Sequence, residues 1–187
     1  MSVFDPFRMV KRGDWRAQPP EFTEKMPHPI ELLRYVMNTG TPKCNGDQEC
    51  IPMIQKIQQQ HLEMGFGDIR YNFMLGDDGT IYEGRGWKCK PPVDPAYADK
   101  DGKFVEIAFI GDYRRDIVSA KWLQGPMYNA QWELLYYADS KNYLHKDYDY
   151  IMEDDREPRP RPIQQPGSRK KAQKQQKTIN AKENVTL

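Results

Sequence analysis

A turn sequence flanked by two β-prone runs sets the strongest constraint on how this chain folds. Residues 69–75 and 80–84 are rich in apolar and aromatic side chains, and Gly76-Asp77-Asp78-Gly79 separates them. Glycine and aspartate between two such runs are typical of an antiparallel hairpin, because they tolerate the backbone angles of a tight turn. The sequence therefore predicts a sheet that contains this hairpin.

Two stretches have the periodicity of amphipathic helices. The first covers residues 50–64, with Pro52 in its first turn and Gly65 as a stop signal. The second begins at Pro126 and is expected to continue to about residue 144. The predicted buried faces consist of Ile54, Ile57, His61 and Met64 in the first helix and of Ala130, Leu134, Tyr137 and Ala138 in the second.

Further strands are predicted before and after these helices. A short strand near residue 8 is followed by a buried strand over residues 32–37 that ends near Asn38. The run 104–111 is apolar at most positions and predicts a central strand, and a last strand is expected over residues 148–153. Since strands and helices alternate along the chain, a sheet with helices packed on it is the expected architecture.

Length and composition fit one globular domain followed by a tail. The chain has 187 residues, and 38% apolar residues together with 13 glycines allow an ordinary packed core. We expect an N-terminal extension over residues 1–8, the domain over residues 9–159 and a disordered basic tail over residues 160–187. The tail is predicted because an Arg-Pro repeat leads into a stretch that is rich in Lys and Gln and poor in apolar residues.

Charge is divided unevenly between the domain and the tail. The net charge is +1, but residues 156–187 contain nine Lys and Arg against two Glu, which leaves 19 basic and 25 acidic residues in residues 1–155. Clustered Lys and Arg can bind phosphates or anionic polymers. No aromatic side chain lies among them to stack on bases, so we expect a solvated tail and no nucleic-acid partner.

Membrane and secretion signals are not visible in the sequence. No apolar run approaches the roughly 18 residues of a membrane-spanning helix. The first six residues lack the basic start and apolar stretch of a secretion signal. We therefore expect no membrane segment in this chain.

The cysteines leave two interpretations open. Cys44 and Cys50 are six residues apart, and the Asn45-Gly46 turn between them could bring the two thiols together. Zinc-type spacing would need a second Cys or His pair nearby, and there is none. A small disulfide, which would require an oxidising compartment, and two free thiols are both compatible with this spacing.

No local motif predicts catalysis. The three histidines, His28, His61 and His145, are too far apart in sequence to form a local metal-binding pair. The sequence also lacks a nucleophile motif and a phosphate-binding loop. His61 alone is compatible with a structural role in a helix as well as with a ligand contact.

Several segments nevertheless carry a specific resemblance to one known family. They are Thr39-Gly40-Thr41-Pro42-Lys43-Cys44 with Cys50, His61-Leu62, Asp68-Ile69-Arg70-Tyr71-Asn72-Phe73-Met74-Leu75-Gly76, Tyr82-Glu83-Gly84-Arg85-Gly86-Trp87 and Ile107-Ala108-Phe109-Ile110-Gly111-Asp112-Tyr113. In these segments the chain resembles the peptidoglycan recognition proteins, relatives of the phage-type zinc amidases. Trp15-Arg16-Ala17-Gln18-Pro19-Pro20 is similar to the N-terminal segment of that family.

The resemblance implies an α/β fold with a mixed, largely parallel central sheet flanked by helices. It also implies a muropeptide groove on one face and a disulfide between Cys44 and Cys50. Active members of the family hold zinc with two histidines and a cysteine, aided by a tyrosine and by a threonine or lysine. Of this set only the tyrosine is present, at Tyr71, so the resemblance implies no enzymatic activity and no metal or other cofactor. The replacements are Asn38 and Glu153 at the histidines, Arg161 at the cysteine and Arg159 at the polar assistant.

One wall of the implied groove is retained and the other departs from the family. Val93 stands where the family usually has a histidine of the opposite wall, and Arg70 occupies a glycine position from which a long side chain could fill part of the groove. The residues that the resemblance assigns to ligand binding are Thr39, His61, Gly65, Phe66 and Tyr71.

Two functions are expected from this pattern. The first is a non-catalytic peptidoglycan recognition domain in innate immune sensing or its regulation, with peptidoglycan fragments as ligands. The alternative is a pseudo-receptor that does not bind peptidoglycan and regulates signalling by pairing with another peptidoglycan recognition protein. A disulfide would place the domain outside the cell or in the ectodomain of a membrane receptor, and an intracellular isoform is the other expectation.

Overall fold

The computed structural model describes residues 8–92, 103–116 and 124–153. The predicted tail over residues 160–187 and nearly all of the predicted N-terminal extension lie outside the described residues. In chain order the elements are β1 (Met9–Val10), β2 (Ile30–Val36), α1 (Asp47–Glu63), β3 (Phe73–Leu75), β4 (Ile81–Glu83), β5 (Phe104–Phe109), α2 (Pro126–Ser140) and β6 (Leu144–Glu153).

The strands form one mixed sheet in the order β1-β4-β3-β5-β2-β6. Only the β3–β4 pair, the predicted hairpin, is antiparallel, and the other neighbouring pairs run parallel. Strand β5 lies between β3 and β2, with Ile107 opposite both Phe73 and Tyr35. The predicted hairpin, the central strand and the mixed, largely parallel sheet are confirmed.

Each face of the sheet packs against one helix. Alternate side chains of a strand point to opposite faces, so Tyr35 packs in the core cluster under α2 while Val36 packs in the cluster under α1. In the same way, Ile107 joins the α2 cluster and Ala108 joins the α1 cluster. The sheet is therefore covered by α1 on one face and by α2 on the other, and the predicted sheet with helices packed on it is confirmed.

Helix α1 begins earlier than predicted. It starts at Asp47, so Pro52 lies inside the helix rather than in its first turn. The predicted burial of Met64 is also wrong, because this side chain is 67% exposed. The helix ends at Glu63, and Gly65 reverses the chain directly afterwards with φ +81°, which leaves Met64 outside the apolar face.

Helix α2 ends earlier than predicted, at Ser140 rather than near residue 144. Asn142 adopts a left-handed conformation with φ 56°, and the Tyr143 N–H donates to the carbonyl of Ala138 at 2.9 Å. Asn142 thus ends the helix in the conformation that glycine more often adopts at this position. Strand β6 begins soon afterwards, at Leu144 rather than near residue 148 as predicted. Neither helix in the described ranges is long and apolar enough to cross a bilayer.

Candidate functional site

Thr39 lies just beyond the carboxyl end of β2. Its Oγ1 accepts a hydrogen bond from the Gly111 N–H at 2.9 Å and lies 2.8 Å from Thr41 Oγ1. Its own N–H donates to the Gly111 carbonyl at 3.0 Å. These bonds hold the segment after β2 against the segment after β5, so Thr39 is half-buried and has a fixed position.

The end of α1 fixes His61, Gly65 and Phe66. The Gly65 N–H donates to the Leu62 carbonyl at 2.9 Å, and the Phe66 N–H donates to the His61 carbonyl at 3.1 Å. This is the Schellman pattern, in which a glycine with positive φ closes the helix and the next residue turns back along it. Phe66 is thereby brought beside the last turn of α1.

Three aromatic rings meet at this helix end. The His61 ring lies 5.6 Å from the Phe66 ring and 5.1 Å from the Tyr71 ring, both edge to face. His61 is 8% exposed and Tyr71 is 1% exposed. The Arg70 N–H donates to His61 Nδ1 at 2.9 Å, so in the neutral ring Nε2 carries the proton. Of the five predicted ligand residues, these three rings form one cluster, and Thr39 lies at the end of β2.

Tyr71 is held in place by the chain that follows β4. Its carbonyl accepts a hydrogen bond from the Arg85 N–H at 3.0 Å. A side chain at Gly84 could not be accommodated, because a Cβ there would lie 2.1 Å from the Tyr71 carbonyl oxygen. The Gly84-Arg85 part of the family resemblance is therefore explained by close backbone packing behind Tyr71.

A buried group of three charges lies next to the aromatic cluster. Glu106 in β5 is 1% exposed and accepts hydrogen bonds from Arg70 Nε at 2.9 Å and from Arg70 Nη2 at 3.0 Å. Arg34, its direct neighbour on β2, also pairs with this carboxylate. The Arg70 guanidinium carbon lies 6.0 Å from the centre of the Tyr71 ring. Arg70 therefore contacts both Glu106 and the ring of Tyr71.

A cavity of about 200 Å³ opens beside Phe66. Arg85 lies beneath it and donates to the carbonyls of Phe66 at 2.7 Å, Ile69 at 2.7 Å and Lys90 at 3.1 Å. Burial lowers the pKa of Arg85, an effect that the nearby Asp68 partly offsets. The lining of the cavity is aromatic, proline-rich and partly charged, and consists of Phe22, Glu24, Gly65, Phe66, Arg85, Lys90, Pro91 and Pro92.

The positions that hold zinc in active members of the resembled family lie at one edge of the sheet. Asn38 follows β2 and pairs with Asp112 after β5, while the backbone of Glu153, at the end of β6, pairs with Val36. The Asn38 Oδ1 accepts a hydrogen bond from the Gly40 N–H at 3.0 Å. Arg159 and Arg161 lie outside the described residues, and so does Val93. Within the described ranges, no three His, Cys, Asp or Glu side chains come together as a metal site.

The disulfide between Cys44 and Cys50 is present. It joins the start of α1 to the segment after β2, and the Cys44 carbonyl accepts a hydrogen bond from the Asp77 N–H in the hairpin turn at 2.9 Å. Of the two interpretations that the spacing left open, the disulfide is confirmed.

Sequence reasoning missed two residues of this region, Arg34 and Glu106. Each is a charged residue with an apolar or aromatic neighbour on both sides in its strand, and this is the signal that could have identified them. A buried charge requires a partner of opposite sign, and the two strands that carry these residues are direct neighbours.

The fold and the site define the class of protein. Peptidoglycan recognition protein 1 of Mus musculus is 30% identical over 143 residues, which cover 75% of this chain and 74% of the mouse protein. The structure of Drosophila PGRP-SA superimposes with a TM-score of 0.68 at 28% identity, covering 78% of this chain and 80% of that one. None of the protein-family models compared with the chain matches it.

Two further solved structures show how varied these relatives are. The PGRP-LE structure, solved in complex with tracheal cytotoxin, a monomeric diaminopimelic acid-type peptidoglycan, gives a TM-score of 0.67 at 27% identity, covering 77% of this chain and 81% of that one. The ectodomain of the Drosophila transmembrane receptor PGRP-LCa gives a TM-score of 0.65 at 25% identity, covering 76% of this chain and 82% of that one. This chain belongs to the peptidoglycan recognition protein family.

Proposed function

We propose that this chain is a non-catalytic domain that recognises peptidoglycan fragments in innate immune sensing or its regulation. Family membership supports the ligand class, because a relative of the same fold was solved with a monomeric peptidoglycan bound. The observation that carries the proposal is the cluster of His61, Phe66 and Tyr71 rings at the end of α1, next to an open cavity.

Each proposed ligand residue has a distinct part in binding. Phe66 offers an aromatic surface to apolar parts of a muropeptide, and Gly65 leaves room beside it. His61 contributes its ring, whose orientation is fixed by the Arg70 N–H at Nδ1. Tyr71 supplies a hydroxyl group, and Thr39 contributes a polar contact at the end of β2.

We propose that catalysis is absent because the residues at the zinc positions do not fit the metal. Zinc in proteins is held by cysteine, histidine and carboxylate side chains. Here Asn38 directs its amide oxygen to the Gly40 N–H, and Arg161 replaces the cysteine of active members, so the thiolate ligand is missing. An amidase assay with added zinc is expected to show no cleavage of the muramoyl–L-alanine amide, and steady zinc-dependent cleavage would contradict this part of the proposal.

The proposed location is outside the cell, either in a secreted protein or in a receptor ectodomain. The Cys44–Cys50 disulfide supports it, because disulfides persist mainly in oxidising compartments. Free Cys44 and Cys50 thiols in material from the native source would favour an intracellular isoform instead.

Calorimetric titration with defined muropeptides tests the binding proposal. The chain is titrated with monomeric lysine-type and diaminopimelic acid-type muropeptides, and two tyrosine variants are compared. Tyr71→Phe keeps the ring packed against His61 and removes the hydroxyl, so binding should weaken about tenfold if one good hydrogen bond is lost. Tyr136→Phe, on the exposed side of α2, should bind as the parent does. No saturable heat with either muropeptide would refute the proposal.

A second function is favoured by the burial of the same site. Tyr71 and His61 expose little surface, and Arg70 lies over Tyr71 while pairing with Glu106. These features support a pseudo-receptor with a filled groove that pairs with another peptidoglycan recognition protein. Absence of muropeptide binding together with saturable binding to such a relative would favour this function over the first.

A further inference from the structure

Large side chains that are mostly aromatic and exposed or partly exposed lie on α2 and β6. On α2, Tyr128, Trp132 and Tyr136 follow one another at intervals of four residues and so lie on one side of the helix. On β6, Tyr150 and Met152 point to the same face of the sheet. Trp132 is 42% exposed, Tyr136 74%, Tyr150 57% and Met152 42%. We call these five side chains the aromatic band.

Tyr35 joins the two halves of the band. Its ring lies 6.4 Å from the Tyr150 ring. Burial raises the pKa of Tyr35, and Tyr148, Tyr150 and Tyr128 lie close enough to raise it further. Tyr128 in turn contacts Trp132, with 6.1 Å between the ring centres. Ring contacts thus link Tyr35 to Tyr150 on β6 and Tyr128 to Trp132 on α2.

Four of the six exposed large hydrophobic side chains in the described ranges belong to the band. Contiguous exposed aromatic side chains mark sites where a partner segment binds. Strand β6 is also the edge strand of the sheet, with β2 as its neighbour. Covering by another segment is one of the ways in which proteins protect an edge strand.

The chain itself supplies a segment of matching chemistry at the end of the band. Residues 156–162 read Arg-Glu-Pro-Arg-Pro-Arg-Pro, and they begin three residues after the end of β6. Alternate prolines favour the polyproline II conformation. Proline-rich segments of this kind bind aromatic surfaces, and arginine stacks on the faces of tyrosine and tryptophan.

We propose that the Arg-Pro segment, residues 156–162, binds across the aromatic band of its own chain. The proposal is independent of peptidoglycan binding, since the band lies on the α2 face of the sheet and the proposed groove on the α1 face.

Length and charge both suit this contact. Seven residues in polyproline II conformation extend about 22 Å, whereas the helix from Tyr128 to Tyr136 rises only about 12 Å. The three prolines lack an N–H, so the contact is made by side chains rather than by continuous strand pairing. The exposed Glu133 of α2 lies next to Trp132, and residues 1–155 carry an excess of six negative charges, 25 acidic against 19 basic.

Hydroxyl-radical labelling of the 187-residue chain, read by mass spectrometry, tests the contact. The measured quantities are the labelling rates of Trp132, Tyr136, Tyr150 and Met152. The variant is Arg156→Ala/Arg159→Ala/Arg161→Ala. Because two or three exposed arginine–aromatic contacts hold the segment, we expect labelling of the band to be about three- to fivefold faster in this variant than in the parent.

Matched controls separate this contact from general effects of charge. Lys170→Ala/Lys171→Ala/Lys174→Ala removes the same number of charges outside the segment and should leave the rates unchanged. Met64 and Phe22 are exposed and lie elsewhere, so their rates should be equal in all three chains.

Three outcomes would overturn the proposal. The first is equal labelling of the band in the parent and the arginine variant. The second is an equal acceleration in the lysine variant, which would indicate non-specific charge attraction. The third is slow labelling that appears only as the protein concentration rises, which would identify a second copy of the chain as the occupant.

Discussion

Removal of the Glu106 carboxylate should destabilise the fold more than removal of an exposed charge. Glu106 is buried and pairs with both Arg34 and Arg70, whose side chains are 6% and 18% exposed. Glu106→Ala would leave two guanidinium groups without their carboxylate partner. Breaking a buried pair from one side costs about 3–5 kcal/mol, and we expect a loss of unfolding free energy in that range.

Urea unfolding of four chains measures this effect. Glu106→Gln keeps the shape and one acceptor but removes the charge, so its loss should be smaller than that of Glu106→Ala. Glu31→Ala removes the partner of Lys103 in a more exposed pair, with 2.8 Å between Glu31 Oε1 and Lys103 Nζ, and should cost about 0–1 kcal/mol. The midpoints and slopes of the transitions give the free energies.

An apolar replacement of the whole charge group should be tolerated better than the loss of Glu106 alone. Replacement of a buried charge group by apolar residues of similar volume is often neutral or stabilising. Arg34→Met/Arg70→Met/Glu106→Leu should therefore be more stable than Glu106→Ala. If Glu106→Ala lost no more stability than Glu31→Ala, or if the triple variant were the least stable chain, a buried charge group of this kind would be refuted.

Three other predictions concern the helix end, the disulfide and a buried tyrosine. Gly65→Ala should lower the free energy of unfolding by about 1 kcal/mol, because Gly65 has φ +81°. At the control position Gly13, a Cβ would meet no atom within 4 Å, so Gly13→Ala should change the free energy of unfolding by less than about 0.5 kcal/mol. Equal urea midpoints for the two variants would contradict this prediction. Cys44→Ser/Cys50→Ser opens a loop with a sequence separation of six and should cost about 2 kcal/mol in thermal or urea unfolding, and an unchanged midpoint would argue against the disulfide. Burial and the hydrogen bond to Asp47 raise the pKa of Tyr82 above its ordinary value of 10.0, so the stability that this group contributes is full below pH 10.0 and decreases as the pH rises above it. When the pH is raised from about 9 to about 11, the free energy of unfolding should therefore decrease less for Tyr82→Phe than for the parent. Identical pH profiles of the two chains would show that Tyr82 has no such role.

Local signals were sufficient for most of the fold. The Gly76–Gly79 turn, the apolar run that became β5 and the glycine that ends α1 each determine structure through backbone geometry or periodicity, which a single sequence displays. The errors occurred at helix ends. The second helix was expected to continue to about residue 144, but Asn142 takes a left-handed conformation after the helix ends at Ser140. Met64 fits the helical period although the first helix has already ended.

The site was less accessible to sequence reasoning. The resemblance named His61, Phe66 and Tyr71, but their mutual ring contacts depend on how the end of α1 meets the segment before β3. Arg34 and Glu106 are 72 residues apart in sequence, and their pairing follows from the order of strands in the sheet. No local pattern specifies long-range strand order, so the sequence could single out the two residues but not show that they pair.

The central claim, that the His61 cluster forms a peptidoglycan-binding groove, is tested most directly by nuclear magnetic resonance of the histidine side chains. The chain contains three histidines, His28, His61 and His145, and His28 stacks on Tyr143 at a ring distance of 4.8 Å, away from the cluster. During titration with a monomeric diaminopimelic acid-type or lysine-type muropeptide, the His61 ring signals should shift saturably while those of His28 and His145 stay fixed. Unchanged His61 signals with both muropeptides, or equal shifts of all three histidines, would contradict the claim.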